Sequence, residues 1–151
     1  MSKRKQIEMS AAEVAAFLNE RHTMSVATNG RDGYPHVMAM WYGFLDGKPA
    51  FWTYAKSQKV RNLERDDRIT LMVEDGDTYA TLRGVMLTGR ARIFRDAGTV
   101  MKVGESVHER YNGPVTEQTR PAVEQMGRKR VAVCIEVERV VSWDHRKLSG
   151  Y

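Results

Sequence analysis

Residues 84–94 alternate apolar and polar side chains with a glycine, Gly89, in the middle. Val85, Leu87, Ala91 and Ile93 fall on one face of such a strand, and Arg90 and Arg92 on the other. A glycine inside a strand gives up side-chain packing, so it marks a bulge or a bend. A long strand that must bend belongs to a sheet that curls. That single run therefore points to a small barrel.

The rest of the chain supplies the other staves. Residues 23–29 alternate up to a turn at Asn29-Gly30-Arg31-Asp32-Gly33. A long strand is expected over 34–45, ending at Asp46-Gly47, a strong hairpin signal, with the return over 50–55. Ile69, Leu71 and Val73 alternate, Asp75-Gly76-Asp77 turns, and 78–82 is expected to continue extended. The last strand, about 129–141, places Val131, Val133, Ile135 and Val137 on one face. Helices are expected at 10–21, opened by the capping box Ser10-Ala11-Ala12-Glu13, and at 57–65. Two more are expected at 96–111, with Val100, Val103 and Val107 on one face, and from Thr119 to Gly127 with Pro121 in its first turn. The reading is mainly β (α+β): a six-stranded antiparallel split barrel with a few peripheral helices, one domain over 1–151. A half-open barrel is expected to complete itself by dimerising.

Composition narrows the function. At 151 residues and 42% hydrophobic, the chain can bury a sizeable core. No run reaches the length of a membrane span, and no apolar stretch follows the basic start Lys3-Arg4-Lys5, so a cytoplasmic protein is expected. Cys134 stands alone, which suits a reducing compartment, and reads as a small packed side chain. The net charge of +5 admits nucleic acid, but no nucleic-acid-binding pattern accompanies it. An anionic cofactor or substrate explains the surplus equally well. The four histidines show no metal-ligand spacing. Serine-hydrolase, dinucleotide and Walker patterns are absent from the sequence.

The densest chemistry lies at Lys56-Ser57-Gln58-Lys59. An aromatic strand (Phe51, Trp52, Tyr54) runs out into this turn and a short amphipathic helix begins. Ser57 is expected as the helix N-cap, its hydroxyl accepting from a first-turn amide. A helix N-terminus favours an anion, and two lysines there oppose the dipole unless an anion is present. Lysines opening a helix are more often a solvated face, so the turn is read with its neighbours. Trp41, Tyr42, Phe44, Phe51, Trp52 and Tyr54 lie on adjacent strands; half of them are expected in the core and the rest beside a planar ring. His36 reads as a surface histidine. The end of the last strand, Trp143-Asp144-His145-Arg146-Lys147, reads as a docking segment.

Together these segments resemble the split β-barrel flavin/deazaflavin oxidoreductases of the pyridoxamine-phosphate-oxidase-like superfamily. The motifs are Met24-Ser25-Val26-Ala27-Thr28, Gly33-Tyr34-Pro35-His36, Met40-Trp41-Tyr42, Lys56-Ser57-Gln58-Lys59 with Asn62-Leu63, and Asp67-Arg68. The stretches 74–79 and 82–85 and the closing 142–148 are similar to the mycobacterial and actinobacterial B subgroup. Members of that subgroup use coenzyme F420, an 8-hydroxy-5-deazaflavin. The resemblance implies that Lys56, Ser57, Gln58 and Lys59 hold the cofactor phosphate. It implies that Val37, Met38, Ala39, Met40, Trp41 and Thr53 line the tricyclic ring, with Arg61 and Asn62 at the phosphate or lactyl end. Trp143, Arg146 and Lys147 would come from the second subunit of a homodimer, with Tyr79 on the substrate side. Gln58 stands where the flavin-using branch commonly has arginine, and Val37 where oxidases of pyridoxamine phosphate have the arginine that opens the ring-binding strand. Both departures favour deazaflavin over FMN. The implied activity is a reductase that passes hydride to an electron-poor small molecule: an unsaturated carbonyl, a quinone or a tetrapyrrole. The alternatives are an FMN oxidoreductase of the same fold and a non-catalytic cofactor carrier.

Overall fold

The computed structural model describes residues 1–148. Its elements in chain order are α1 (Lys3–Ile7), α2 (Ala11–Asn19), β1 (Met24–Asn29), β2 (Pro35–Met40), β3 (Gly43–Leu45), β4 (Lys48–Tyr54), α3 (Gln58–Arg65), β5 (Arg68–Asp75), β6 (Arg83–Phe94), α4 (Ala97–Asn112), α5 (Arg120–Gly127) and β7 (Arg130–Asp144). Short 3₁₀ turns occupy Tyr79–Thr81 and His145–Lys147. The strands form one antiparallel sheet in the order β2-β1-β5-β6-β7-β4-β3.

That order contains the closure of the barrel. β2 and β3 are the two outer strands of the sheet, yet only Trp41 and Tyr42 separate them in the chain. The sheet has to curl until its edges nearly meet. The single long strand expected over 34–45 is therefore two strands on opposite edges, and the expected six strands are seven among the described residues. Tyr42 makes the break. It is fully buried, and its hydroxyl donates to the carbonyl of Leu18 at 2.7 Å. Burial pushes its pKa up to about 12, which keeps the phenol a neutral donor.

Gly89 does what its place in the sequence requires. The β6–β7 register shifts between Thr88 and Gly89, leaving Glu138 as the extra residue of a bulge. A Cβ at Gly89 would run into the carbonyl of Glu136. The 46–47 hairpin also forms as expected, with Asp46 at φ 50° and Gly47 at φ 78°, the left-handed pair that a tight two-residue turn needs.

Two apolar layers hold the sheet. Val26, Phe51, Leu71, Val85, Val133 and Ile135 fill the barrel. On the other face Trp52, Ala132 and Cys134 pack against Val100, Val103 and Val107 of α4 and Val123 of α5. Cys134 is thus the packed side chain expected, and burial raises its thiol pKa. Arg110 of α4 ties helix to barrel: it donates to the carbonyls of Tyr42, Leu18, Asn19 and Glu20 and lies over the rings of Tyr42 and Phe44.

Two further expectations are corrected. Residues 78–82 do not continue extended: Thr78 and Thr81 bond each other and close a 3₁₀ turn. β7 runs to Asp144 because Ser142, Trp143 and Asp144 pair with Val85, Gly84 and Arg83. The basic start forms α1, whose first turn Ser2 caps by accepting from the amide of Lys5. Among the described residues no helix is long and apolar enough to cross a membrane.

Candidate functional site

β4 delivers the chain to the opening of α3, and the chemistry there differs from a simple cap. Ser57 has the extended backbone of an N-cap, φ −68° and ψ 155°, but its hydroxyl makes no capping bond. The Oγ is buried and has no partner among the described residues. The first-turn amides of α3 have no helical acceptor by construction. Beside them Lys59 is only 7% exposed. Its ammonium donates to Thr53 Oγ1 at 2.9 Å and meets no carboxylate among the described residues. Burial alone pushes its pKa below the ordinary 10.5. Lys59 is thus a buried cation with no counter-charge among the described residues, at a helix start that also carries an unpaired hydroxyl.

α3 is anchored from its other side. Gln58 donates to Asn62 Oδ1 at 2.9 Å, and Asn62 donates to Thr28 Oγ1 on β1 at 3.0 Å. Asn62 is fully buried, so its side chain is committed to holding the helix on the barrel. A groove of about 630 Å³ opens between the β1–β2 turn and α3. Gln58, Arg61 and Arg65 from the helix face Arg31, Tyr34 and His36 across it. Arg61, Arg31 and Lys56 have no ion-pair partner among the described residues, whereas Arg65 donates to the carbonyl of Asn29 at 2.6 Å. His36 lies opposite Thr28 in the ladder, and its Nδ1 is a second buried polar atom without a partner among the described residues. Arg31, Tyr34 and Arg65 were not among the expected site residues. The spacing 58, 61, 65 on one helical face was the signal that would have found Arg65.

The expected ring strand is an edge. Val37, Met38 and Trp41 are 58%, 46% and 49% exposed, Ala39 is exposed and Met40 half-buried. Being outermost, β2 leaves backbone groups unpaired along one side. Of the aromatics, Tyr42, Phe51 and Trp52 belong to the core, while Trp41 and Tyr54 face outward. Thr53 is buried and serves as the acceptor for Lys59.

The remaining expected residues form a separate cluster in the chain. Trp143 packs its indole over Gly84. Arg146 pairs with Asp144 through Nε and Nη2 at 2.9 and 2.8 Å, and this holds the Asp144 carboxyl below its usual range. Lys147 reaches Glu13 and the carbonyl of Glu8. Tyr79 is exposed, with its ring against His145 at 4.5 Å. None of these four residues lines the groove at α3.

The sequence profile of pyridoxamine 5'-phosphate oxidase matches residues 10–144. The chain belongs to that family. It is 31% identical over 132 residues to an F420H(2)-dependent biliverdin reductase of Mycobacterium tuberculosis, covering 85% of each. The fold superposes on the crystal structure of the conserved hypothetical protein Rv2991 of Mycobacterium tuberculosis with a TM-score of 0.94 at 50% identity, over 100% of this chain and 94% of that one. A structure titled F420 Reductase aligns with a TM-score of 0.62 at 28% identity, over 83% and 93%.

Proposed function

We propose that this chain is a coenzyme F420-dependent reductase acting on an electron-poor, conjugated small molecule of the tetrapyrrole, quinone or unsaturated-carbonyl class. The observation that carries the reading is Lys59: a buried ammonium whose one hydrogen bond among the described residues goes to Thr53, two residues along a helix start from the unpartnered hydroxyl of Ser57. The residues fit the cofactor's phosphate. Lys59, Lys56, Ser57 and the first-turn amides of α3 would hold it, charge against charge. Arg61 and Arg31, with no ion-pair partner among the described residues, add cations along the groove for further anionic groups.

Bound there, the reduced deazaflavin supplies a hydride, and the protein's part is orientation and electrostatics. The exposed edge of β2, from Val37 to Trp41, offers unpaired backbone groups and side chains to a flat polar-rimmed ring. No protein nucleophile is required. The named activity of the relative at 31% identity supports both the cofactor and a tetrapyrrole acceptor. We place the cofactor sites at the interface of a homodimer. The exposed apolar residues Val37, Val137 and Val140 supply surface for it, and the 143–147 segment supplies residues for the partner's site. Gln58, a neutral side chain that donates to Asn62, stands where the flavin-using branch commonly has arginine, and this supports the deazaflavin reading.

The test is titration of the purified protein with coenzyme F420, followed by fluorescence. Micromolar binding is expected. Lys59→Ala should weaken it by about 1.5–3 kcal/mol, the worth of a charge-assisted bond, whereas Lys102→Ala on α4 leaves it unchanged. Equal affinities for the two variants would show that the anion site is misplaced. A protein purified with tightly held yellow flavin, and indifferent to F420, would move the assignment to FMN.

A further inference from the structure

Trp41 is a large aromatic that the core leaves out, and it is nevertheless held still. It is 49% exposed, immediately beyond the end of β2 and away from the arginine groove. At a strand rise of about 3.3 Å per residue it lies about 17 Å along the chain from His36. Its ring is stacked on Tyr111 of α4, with centroids 4.5 Å apart and planes within 1°. Tyr111 is itself pinned. Its hydroxyl donates to the carbonyl of His22 at 2.6 Å and accepts from the amide of Tyr42 at 3.4 Å, and the Arg110 guanidinium lies 5.8 Å from its ring. One face of the indole is covered; among the described residues no second ring or guanidinium lies on the other.

A stack that served stability alone would gain by burying both faces of the indole. Holding one face rigid and open forgoes that burial. What it provides is a preorganised flat surface, on which a ligand loses less entropy when it binds.

We infer that Tyr111 is a positioning residue that fixes the Trp41 indole as a platform for a planar conjugated ring. The platform rests on the reductase reading for the identity of that ring, which is either the cofactor's tricycle or the flat acceptor. Tyr111 lies outside the family motifs around the anion site and enters from a helix on the far side of the barrel closure.

The experiment compares Tyr111→Phe, Tyr111→Leu and Trp41→Leu in the full chain. Cofactor affinity is read by F420 fluorescence, and KM and kcat are read with biliverdin. Both leucine variants should raise either the F420 Kd or the biliverdin KM roughly three- to tenfold, with kcat moving less. Tyr111→Phe keeps the stacked ring and should stay within about twofold of wild type on the same scale. A change in Kd assigns the cofactor ring to the platform, and a change in KM alone assigns the acceptor. Leucine variants equal to wild type in both quantities overturn the inference. So does a phenylalanine variant as impaired as the leucine one. If Tyr111→Leu does not fold, Trp41→Leu, at an exposed position, decides alone. A wild type that binds no F420 defeats the proposed function instead. The platform is then judged by biliverdin quenching of tryptophan fluorescence, and unchanged affinity in the leucine variants overturns it.

Discussion

Two serines in one chain show how the same residue does different work. Ser10 accepts from the amide of Glu13 and caps α2; Ser57 stands at the same place on α3 and caps nothing. Ser10→Ala should cost about 1 kcal/mol in a denaturant melt, and Ser57→Ala close to none. The loss at Ser57 should appear as weaker anion binding. Lys59 makes the companion case in pH. Its folded pKa lies below 10.5 while the unfolded chain keeps the ordinary value, so the unfolded state binds more protons in that window. Stability of the ligand-free protein should therefore rise as pH climbs toward 10.5, while affinity for an anion falls as the ammonium is lost. A stability that falls through that window would contradict the burial of Lys59. Asn62 is different again. Asn62→Ala removes the buried link between Gln58 and Thr28 and should destabilise by about 1–3 kcal/mol in the same melt. These roles were only half visible in the residues: Lys-Ser-Gln-Lys marks cations at a helix start, but burial is a tertiary property.

At the scale of elements, periodicity worked where one strand keeps one partner on each side. β6, the bulge at Gly89, the 46–47 hairpin, the capping box and the valine face of α4 all follow from local pattern. Gly89→Ala forces a methyl against the Glu136 carbonyl in the tightest part of the bulge. It should cost about 1–3 kcal/mol, read as a lowered unfolding midpoint, and a neutral result would mean the bulge relaxes freely. Pattern failed where the chain changes partners. No polar residue interrupts 37–45, so the run reads as one strand, yet β2 pairs with β1 and β3 pairs with β4 at the opposite edge. A period of two reports which face a side chain takes, and says nothing of which strand lies alongside.

For the whole molecule, the closure at Trp41-Tyr42 joins the exposed edge strand β2 to β3 and helix α4, with Arg110 as its fastener. Arg110→Met keeps much of the stem but removes four hydrogen bonds to carbonyls, and should lower the thermal midpoint by several degrees. An unchanged midpoint would show that water replaces those bonds at no cost. Residues 143–147 complete no site in the single chain, so cofactor binding that persists under conditions where only monomer is detected would count against the interface placement. The sequence by itself determined the class of the fold, the helices α2 to α5, the hairpin at Asp46-Gly47, the bend at Gly89 and the position of the cationic helix start, because each is written within a few neighbouring residues. Only the tertiary structure decided that the strand at 34–45 parts to close a barrel. It alone set Arg31 and His36 across from α3, buried Lys59 without a counter-charge and stacked Tyr111 on Trp41. Those relations join residues far apart in the chain through burial and geometry, which no local pattern carries.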